Sequence, residues 1–324
     1  GHELEGAEIS IDAANKYFFD EYLLELSSKF LRTPIDSILG VIDRAGKIFV
    51  SKDRPYYDSC MAELPSLLGY APKMVEKAMS FIPGLLGRET MLSRLAHLGD
   101  HHLLDYNVYK GNGRLLRAIP LGVVTHIAAG NTFLGAIDSL LYGLVTKNVN
   151  IVKMASADRF FPIVFMEALR EADSQGIVFP YVAMTYWKHD NMEVQSLVKK
   201  NSDAILLFGG EESVAAFKKE VAPRCEVLTF GPKVSFGIVT RDQSNDELAA
   251  AARGFAQDIV FWEQRACTAC QNIFVERSDN TDFFVQKLMD ELELAGLEYP
   301  QEAVASDAAA AIRNIRSASV RYTC

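Results

Sequence analysis

The sequence predicts an α/β fold, in which a helical amino-terminal region precedes a parallel sheet covered by helices on both faces. Three observations support this prediction. Apolar residues recur at helical spacing through residues 1–104, β-prone runs begin after Asp105, and short apolar strands then alternate with helical stretches over residues 121–240. Strands that alternate with helices at this interval are typical of βαβ units, whose strands are parallel. A Rossmann-type sheet is therefore expected after the helical region.

Two apolar stripes define the helical region. The second stripe runs through residues 64–98 and is expected to break at Pro83-Gly84 and at Gly87. Both stripes are interpreted as core packing, because an amphipathic helix turns one apolar face inward. The first stripe ends at Pro34 and consists of Tyr17, Phe18, Tyr22, Leu23, Leu26 and Phe30.

A hairpin is predicted within residues 105–119. Two short β-prone runs, 106–109 and 115–119, flank the turn-forming residues Gly111-Asn112-Gly113. Glycine and asparagine are the residues that tolerate the left-handed backbone of a tight hairpin turn.

The alternating region follows the hairpin. Its apolar strands are short and its helices are separated from them by a few residues, as in doubly wound sheets. The predicted strands are 121–127, 149–152, 181–187, 204–208, 227–230 and 235–240, and the predicted helices are 133–144, 163–172, 191–200 and 212–221.

Composition excludes several classes of protein. The chain has 324 residues, of which 49% are hydrophobic and 23% charged, so it can bury a large core and is not disordered as a whole. A net charge of −9 argues against nucleic acid as a partner. Five scattered cysteines argue against a disulfide scaffold and favour a reducing, cytoplasmic location. No apolar run is long enough to span a membrane, and the first residues lack the features of a signal peptide.

The stretch 264–275 is the most informative part of the chain. Cys267 is followed by small residues and then by a β-prone run, which predicts a loop that presents a thiol ahead of a strand. A cysteine thiolate in such a loop is a candidate nucleophile. Two alternatives involve Cys270 as well: a Cys-x-x-Cys redox pair, or half of a zinc site. The zinc site would need a second pair of ligands, and the sequence has no second Cys-x-x-Cys.

The flanking residues resemble the nucleophile loop of the aldehyde dehydrogenase superfamily. The segment 263–269, followed by Ile273-Phe274-Val275, matches a loop in which a Gln and a nearby Cys precede a strand. Alignment back from Val275 places the nucleophile at Cys267 and not at Cys270. Further superfamily motifs occur upstream in the same order, at 119–124, Asn131, 148–153, 208–210 and 230–233.

This resemblance implies an aldehyde-dehydrogenase-like fold and a role for each matching residue. Asn131 would stabilise the oxyanion that forms when Cys267 attacks a carbonyl. No metal ion is implied. The implied cofactor-binding residues are Lys153 and Ser156 at the adenosine ribose, and Gly209 and Gly210 at the pyrophosphate.

Two departures from the superfamily pattern narrow the expected reaction. Thr229 occupies the position of the glutamate that activates water, and a threonine is no general base near neutral pH. An acyl-enzyme would then persist until a thiol or a hydride reached it, as in a CoA-linked enzyme.

The second departure concerns the cofactor. Ser156 replaces the glutamate that NAD-preferring members place at the ribose. Arg159 lies close by in sequence, so a 2′-phosphate can be accepted and NADPH is favoured.

Together these features resemble most closely the LuxC-type long-chain acyl-CoA reductases, which make fatty aldehyde for bacterial luciferase. The resemblance implies reduction of a long-chain acyl-CoA or acyl-protein thioester through an S-acyl cysteine. It also implies an acyl-protein synthetase as a possible partner and a homo-oligomer, for which the hairpin is a candidate contact. A CoA-independent aldehyde dehydrogenase and a dithiol redox protein stay open as alternatives.

Three regions are expected. Residues 1–104 would form a helical region packed on the cofactor domain, residues 105–228 the NADPH-binding domain with its hairpin at 105–119, and residues 229–324 the catalytic domain. The last region is shorter than a superfamily catalytic domain, so the sequence is expected to be truncated.

Overall fold

The computed structural model describes residues 23–231, 233–300 and 310–314. The predicted stripe residues Tyr17, Phe18 and Tyr22 lie outside the described residues.

Residues 23–104 are helical, as predicted. In the second helix, Ile38, Leu39 and Ile42 are buried on one face, so the predicted apolar stripe does form core. Two 3₁₀ turns, Ala96–Leu98 and His101–Leu104, follow the last α-helix of this region. The α-helices are α1 (Leu23–Leu31), α2 (Ile35–Phe49), α3 (Tyr56–Leu68), α4 (Pro72–Met79), α5 (Ile82–Leu86) and α6 (Arg88–Arg94).

The predicted break at Pro83-Gly84 is wrong in detail, because both residues lie inside α5. Proline is tolerated in the first turn of a helix, where its missing N–H has no intrahelical acceptor. The break at Gly87 is confirmed: its backbone is extended, with ψ of 142°, and it separates α5 from α6.

The hairpin is confirmed. Strand β1 (Val108–Tyr109) pairs antiparallel with β2 (Leu115–Leu116). The turn uses left-handed backbone at Gly111 (φ 84°), Asn112 (φ 49°) and Gly113 (φ 73°), as its composition predicts.

A five-stranded parallel sheet forms the centre of the fold, in the order β5-β4-β3-β6-β7. The chain adds β4 and β5 on one side of β3 and then returns to add β6 and β7 on the other, which is the doubly wound arrangement expected. The strands are β3 (Val123–Ile127), β4 (Val149–Lys153), β5 (Val182–Thr185), β6 (Ala204–Phe208) and β7 (Glu226–Phe230). The helices between them are α7 (Gly135–Val145), α8 (Phe160–Ala172), α9 (Met192–Asn201) and α10 (Glu211–Lys218).

A buried polar group joins β3, β4 and α7. His126 Nδ1 lies 2.7 Å from the Ser139 hydroxyl, and its Nε2 lies 3.0 Å from the Asn150 side-chain oxygen. Because that oxygen can only accept, Nε2 donates and the Ser139 hydroxyl donates to Nδ1. Burial lowers the pKa of His126 to about 4, so the ring is neutral at pH 7.

A buried lysine links the helical region to the sheet. The Lys147 ammonium donates to the Leu104 carbonyl at 2.8 Å and to the Leu31 carbonyl at 3.3 Å, and it forms an ion pair with Asp105. A buried charge needs such partners to offset its lost hydration. These bonds fix the turn before β4 against α1 and the second 3₁₀ turn.

The carboxyl-terminal part has a small parallel sheet of its own, formed by β8 (Ser235–Val239) and β9 (Cys270–Val275). Helix α11 (Asn245–Val260) begins at a capping box made by Ser244 and Glu247. Helix α12 (Thr281–Glu298) follows β9. Their core is formed by Val239, Leu248, Ala252 and Phe284.

The chain divides into two compact units. The first comprises residues 1–62 and 78–233, and the second comprises residues 63–77 and 234–324. The three regions expected from the sequence stay a prediction. Within the described residues, no helix is both long enough and apolar enough to cross a membrane.

Candidate active site

The predicted cofactor residues share one edge of the central sheet. Because the strands are parallel, their carboxyl ends meet at the same edge, and each predicted residue ends a strand or follows one. In open α/β sheets this edge, at the point where the strand order reverses, is where ligands bind. Asn131 follows β3, Lys153 ends β4, Ser156 and Arg159 follow β4, and Gly209 and Gly210 follow β6.

The loops after β3 and β4 approach each other closely. A Cβ at Gly130 would lie 3.1 Å from the Cβ atoms of both Ala155 and Ala157, so glycine permits this approach. The Ala128 amide also donates to the Lys153 carbonyl at 3.1 Å. Asn131 follows directly and is exposed. The structure thus brings the loop of Asn131 against the loop that carries Ser156.

Two cations surround one tyrosine at this edge. The Lys153 ammonium lies 5.7 Å from the centre of the Tyr186 ring and 5.4 Å from the Trp187 ring. The Arg159 guanidinium lies 4.8 Å from the Tyr186 ring. Ser156 and Arg159 are exposed, and burial lowers the pKa of the half-buried Lys153. Sequence reasoning missed Tyr186, which directly follows β5.

Asp158 holds the start of α8. Its carboxylate accepts from the Phe161 amide at 3.1 Å, although the residue is only 5% exposed. Burial raises its pKa to about 6, against the opposing effect of that hydrogen bond. Burial, and the nearby Asp158, also raise the pKa of the Cys60 thiol.

Open space surrounds Gly210, which lies directly before α10. Its φ of −69° is open to any residue, and a Cβ built there meets no atom within 4 Å. The preceding Gly209 is crowded, since its Cβ would lie 3.2 Å from the Ser213 Cβ. Backbone N–H groups at a helix start attract phosphate. With the two cations at β4, the residues present fit a dinucleotide.

The two cysteines of the carboxyl-terminal loop differ in environment. Cys267 is exposed, and its carbonyl accepts from the Ser235 hydroxyl at 2.6 Å. Cys270 is 5% exposed, begins β9, and directs its thiol to the Asn272 carbonyl at 3.2 Å. Both thiols are free. The accessible thiol is therefore the one that the sequence pattern predicts to be the nucleophile.

An unusual turn precedes Cys267. Trp262, Glu263 and Gln264 all have left-handed backbone, with φ of 64°, 50° and 59°. Such backbone is unfavourable for residues other than glycine and asparagine, and it is found where the surroundings enforce it. No residue type at these positions signals the turn, so the sequence could not predict it.

Arg265 holds that turn. Its guanidinium pairs with the Glu263 carboxylate at 2.8 Å and donates to the Leu68 carbonyl at 3.1 Å. It also lies 4.8 Å from the Tyr70 ring, while the Trp262 ring meets Tyr70 edge-on at 5.6 Å. These contacts offset the backbone strain and fix the approach to Cys267.

Thr229 lies in β7, opposite Leu207 of β6, and is half-buried. Its hydroxyl offers no carboxylate for activating water. Pro232, within the predicted 230–233 motif, lies outside the described residues.

One group in the described part of the chain brings three potential metal ligands within 4.8 Å of one another: Asp100, His101 and His102. It includes neither Cys267 nor Cys270. Among residues 23–231, 233–300 and 310–314, no group of three potential metal ligands therefore includes either cysteine, as the zinc alternative would require.

Known proteins resemble this chain in fold and sequence. It is 28% identical over 262 residues to the long-chain acyl-protein thioester reductase of Aliivibrio fischeri, covering 80% of this chain and 54% of that protein. The chain thus spans about half the length of the curated relatives it matches.

Solved structures show the fold. An indole-3-acetaldehyde dehydrogenase, AldA of P. syringae in complex with NAD⁺, superposes with a TM-score of 0.61 at 20% identity, over 84% of this chain and 54% of that one. The glyceraldehyde-3-phosphate dehydrogenase GapN of Methanocaldococcus jannaschii, complexed with NADP, superposes with a TM-score of 0.60 at 14% identity, over 84% of this chain and 57% of that one. The aldehyde-dehydrogenase-like fold predicted from the sequence is confirmed.

The family is shown by the sequence profile of acyl-CoA reductase (LuxC), which matches residues 31–323. This match includes the helical region, the central sheet and the loop of Cys267. The chain belongs to the LuxC family of acyl-CoA reductases.

Proposed function

We propose that this chain carries the reducing site of an enzyme that converts a long-chain fatty acyl thioester to fatty aldehyde with NADPH, through an S-acyl intermediate on Cys267. The observation that carries the proposal is the exposed Cys267 thiol, presented after a left-handed turn in a chain of the LuxC family. Relatives named long-chain acyl-protein thioester reductases support the class of substrate.

The first step forms a carbon–sulfur bond. The Cys267 thiolate attacks the thioester carbonyl, and the thiolate of CoA or of the acyl-carrying protein leaves, so one thioester replaces another. The Cys267 backbone N–H stabilises the developing oxyanion. Asn131, exposed in the loop after β3, keeps the role of side-chain donor that the resemblance implies. One such donor is typically worth about 3 kcal/mol.

The second step returns the enzyme to its free form. When bound, the nicotinamide supplies a hydride to the acyl carbon. Cys267 then holds a thiohemiacetal, which collapses as the carbon–sulfur bond breaks and the aldehyde and the thiolate separate. Thr229, in the place of a water-activating base, leaves the acyl group on Cys267 until this step.

The carboxyl edge of the sheet binds the dinucleotide in this proposal. Lys153 and Ser156 hold the adenosine ribose, and Arg159 pairs with the 2′-phosphate. The turn at Gly209 and Gly210, with open space at Gly210, admits the pyrophosphate. The NAD⁺ and NADP complexes of the structural neighbours support a nicotinamide cofactor. Exposed Ser156 and Arg159, without a carboxylate at the ribose position, favour NADPH.

The family resemblance also suggests partners. An acyl-protein synthetase would deliver the acyl group, and the exposed apolar side chains of the hairpin, Tyr109, Leu115 and Leu116, are proposed as a contact between copies of the chain in a cytoplasmic homo-oligomer.

The proposal is tested by Cys267→Ser in the full-length protein. NADPH-dependent formation of aldehyde from a long-chain acyl-CoA should be lost, because a serine hydroxyl is a far weaker nucleophile than a thiolate. Cys270→Ser is the matched control and should retain it. Aldehyde formation that survives in Cys267→Ser would contradict the proposal, and oxidation of aldehyde to free acid without CoA would favour the CoA-independent alternative.

A further inference from the structure

Three potential metal ligands lie together at the end of the helical region. One ligand atom from each of Asp100, His101 and His102 lies within 4.8 Å of the other two. Two imidazole nitrogens and one carboxylate oxygen form a donor set that Zn²⁺ accepts in proteins, with water in the fourth position. The reaction proposed above uses none of these three residues.

The 3₁₀ turn that begins after Asp100 brings the three side chains together. One oxygen of the Asp100 carboxylate accepts from the His102 amide at 2.9 Å, and because this bond uses only that oxygen, the other can bind an ion. The His101 and His102 rings lie side by side, with their centres 4.2 Å apart and their planes 35° from parallel. All three residues are partly exposed, so an ion can reach them from solvent.

The His102 ring is held by its neighbours. It stacks on the Tyr106 ring, with the centres 5.6 Å apart and the planes 10° from parallel. Its Nδ1 lies 3.6 Å from the Asp105 carboxylate, which is too far for a hydrogen bond. This nitrogen is buried and has no hydrogen-bond partner in the part of the chain that the structure describes. In metal sites, a carboxylate commonly lies beside a metal-binding imidazole and orients it.

Asp105 is itself fixed by two distant parts of the chain. Its carboxylate accepts from the Ile35 amide at 2.9 Å and forms an ion pair with Lys147. The Leu103 carbonyl, in the same turn as the two histidines, accepts from the Ala118 amide at 2.8 Å. Because this backbone is already held, little of its freedom is lost when an ion binds, which favours affinity.

We propose that Asp100, His101 and His102 form a binding site for a divalent transition-metal ion, Zn²⁺ in particular, with Asp105 as the carboxylate that orients His102. Mg²⁺ and Ca²⁺ prefer oxygen ligands, so the two imidazoles favour a transition metal. A bound ion links both rings to the Asp100 carboxylate in the segment that leads into the hairpin. It stabilises the first unit, because the site does not exist in the unfolded chain.

The proposal is tested by calorimetric titration of Zn²⁺ into full-length, untagged protein from which a chelator has removed bound metal. The wild type should bind one Zn²⁺ at this site, and an excess of Mg²⁺ should not compete. His101→Gln and His102→Gln should each weaken the binding by at least about tenfold, because each removes a ligand. Asp100→Asn can still accept from the His102 amide but loses the charge, so it should also weaken the binding.

Two control variants separate this site from other places where zinc can bind. His189→Gln removes an exposed histidine that also lies next to an aspartate, Asp190, and it should leave the affinity unchanged. Cys267→Ala removes an exposed thiol, which is itself a potential zinc ligand, and it should also leave the affinity unchanged. Co²⁺ bound in place of Zn²⁺ should give visible d–d absorption bands without the charge-transfer band of a thiolate ligand.

A wild type that does not bind Zn²⁺ would overturn the proposal, as would an unchanged affinity in all three ligand variants. Loss of the binding in His189→Gln or Cys267→Ala would also overturn it, because the ion would then lie elsewhere. Three separate ligand variants keep the proposal testable if one of them does not fold. None of these measurements involves acyl transfer, so failure here is distinguishable from failure of the proposed function.

Discussion

At the scale of single residues, Cys267 and Cys270 share a motif but not a chemistry. The exposed Cys267 can meet a substrate carbonyl, whereas Cys270 is buried at the start of β9 and directs its thiol to a backbone carbonyl. A redox pair would need both thiols to reach each other and a partner. The different burial of the two thiols favours the nucleophile over the dithiol.

Two other buried groups, His126 and Asp158, make the stability of the first unit depend on pH, and their two effects have opposite signs. His126, with its pKa lowered to about 4 by burial, stays neutral while the unfolded chain takes up a proton below about 6.5. This lowers stability as pH falls through that window. Asp158, with its pKa raised to about 6, binds a proton in the fold before the unfolded chain does. This lowers stability as pH rises from about 4 to 6.

Asp158→Asn should separate the two effects. Asparagine can still accept from the Phe161 amide, but it carries no charge, so the variant should be more stable than the wild type at pH 7 by about 1–3 kcal/mol. Its stability should then fall more steeply than that of the wild type from pH 6 to pH 4.5, because the opposing effect of Asp158 is removed.

Urea unfolding at several pH values measures this difference. The exposed Asp190 provides a control, because Asp190→Asn should give a profile parallel to that of the wild type. Parallel profiles for Asp158→Asn and the wild type would contradict the account of Asp158.

At the scale of elements, the sequence predicts the strands best. The predicted 204–208 matches β6, and the other strands of the central sheet differ from prediction by a few residues at their ends. Buried parallel strands are short apolar runs, which are visible in sequence. Helix α8 begins at Phe160 instead of 163, because Asp158 caps it from a buried position that the sequence does not reveal.

The sequence predicts those residues of the candidate site that belong to short motifs, and it does not predict those that depend on contacts between distant parts of the chain. The residues that follow strand ends were identified from short motifs that resemble those of the aldehyde dehydrogenase superfamily, and the parallel sheet gathers them at one edge. Tyr186 was missed because its contact with Lys153 depends on the register between β4 and β5. The turn at 262–264 was missed because long-range contacts of Arg265, one of them to Leu68, hold a backbone that its own residues disfavour.

The packing of α7 on β4 gives a prediction for Gly143. A Cβ there would lie 1.8 Å from the Asn150 side-chain oxygen and 3.0 Å from His126 Nε2. Gly143→Ala should therefore lower the free energy of unfolding by about 1–3 kcal/mol, since the helix must move or the polar group must break.

Gly40, inside α2, is the matched control for this substitution. Its Cβ would meet only the far end of the Arg44 side chain, at 3.5 Å. Gly40→Ala should raise stability by up to about 1 kcal/mol, because alanine favours the helix. Equal effects of the two substitutions, measured by urea unfolding, would contradict the close packing described at Gly143.

At the scale of the whole molecule, each compact unit carries one of the two tryptophans. Trp187 lies in the first unit, beside Lys153, and Trp262 lies in the second, at the turn before Cys267. Variants with a single tryptophan therefore report on the unfolding of one unit at a time.

NADPH should stabilise the first unit, which contains the five-stranded sheet. In a Trp262→Phe variant, Trp187 reports the unfolding of the first unit. NADPH at a hundredfold excess over its dissociation constant should raise the free energy of that unfolding by about 2.7 kcal/mol. The urea midpoint should rise accordingly. A midpoint that NADPH leaves unchanged would refute binding at the carboxyl edge of the sheet.

The central claim is that the acyl group passes through Cys267, and the most direct measurement is to trap it there. Full-length protein incubated with a radiolabelled long-chain acyl-CoA should retain the label on a denaturing gel and release it with neutral hydroxylamine, as a thioester does. Cys270→Ser should retain the label and Cys267→Ala should not, and NADPH should discharge the label as fatty aldehyde. Label that persists in Cys267→Ala, or that NADPH leaves in place, would contradict the account.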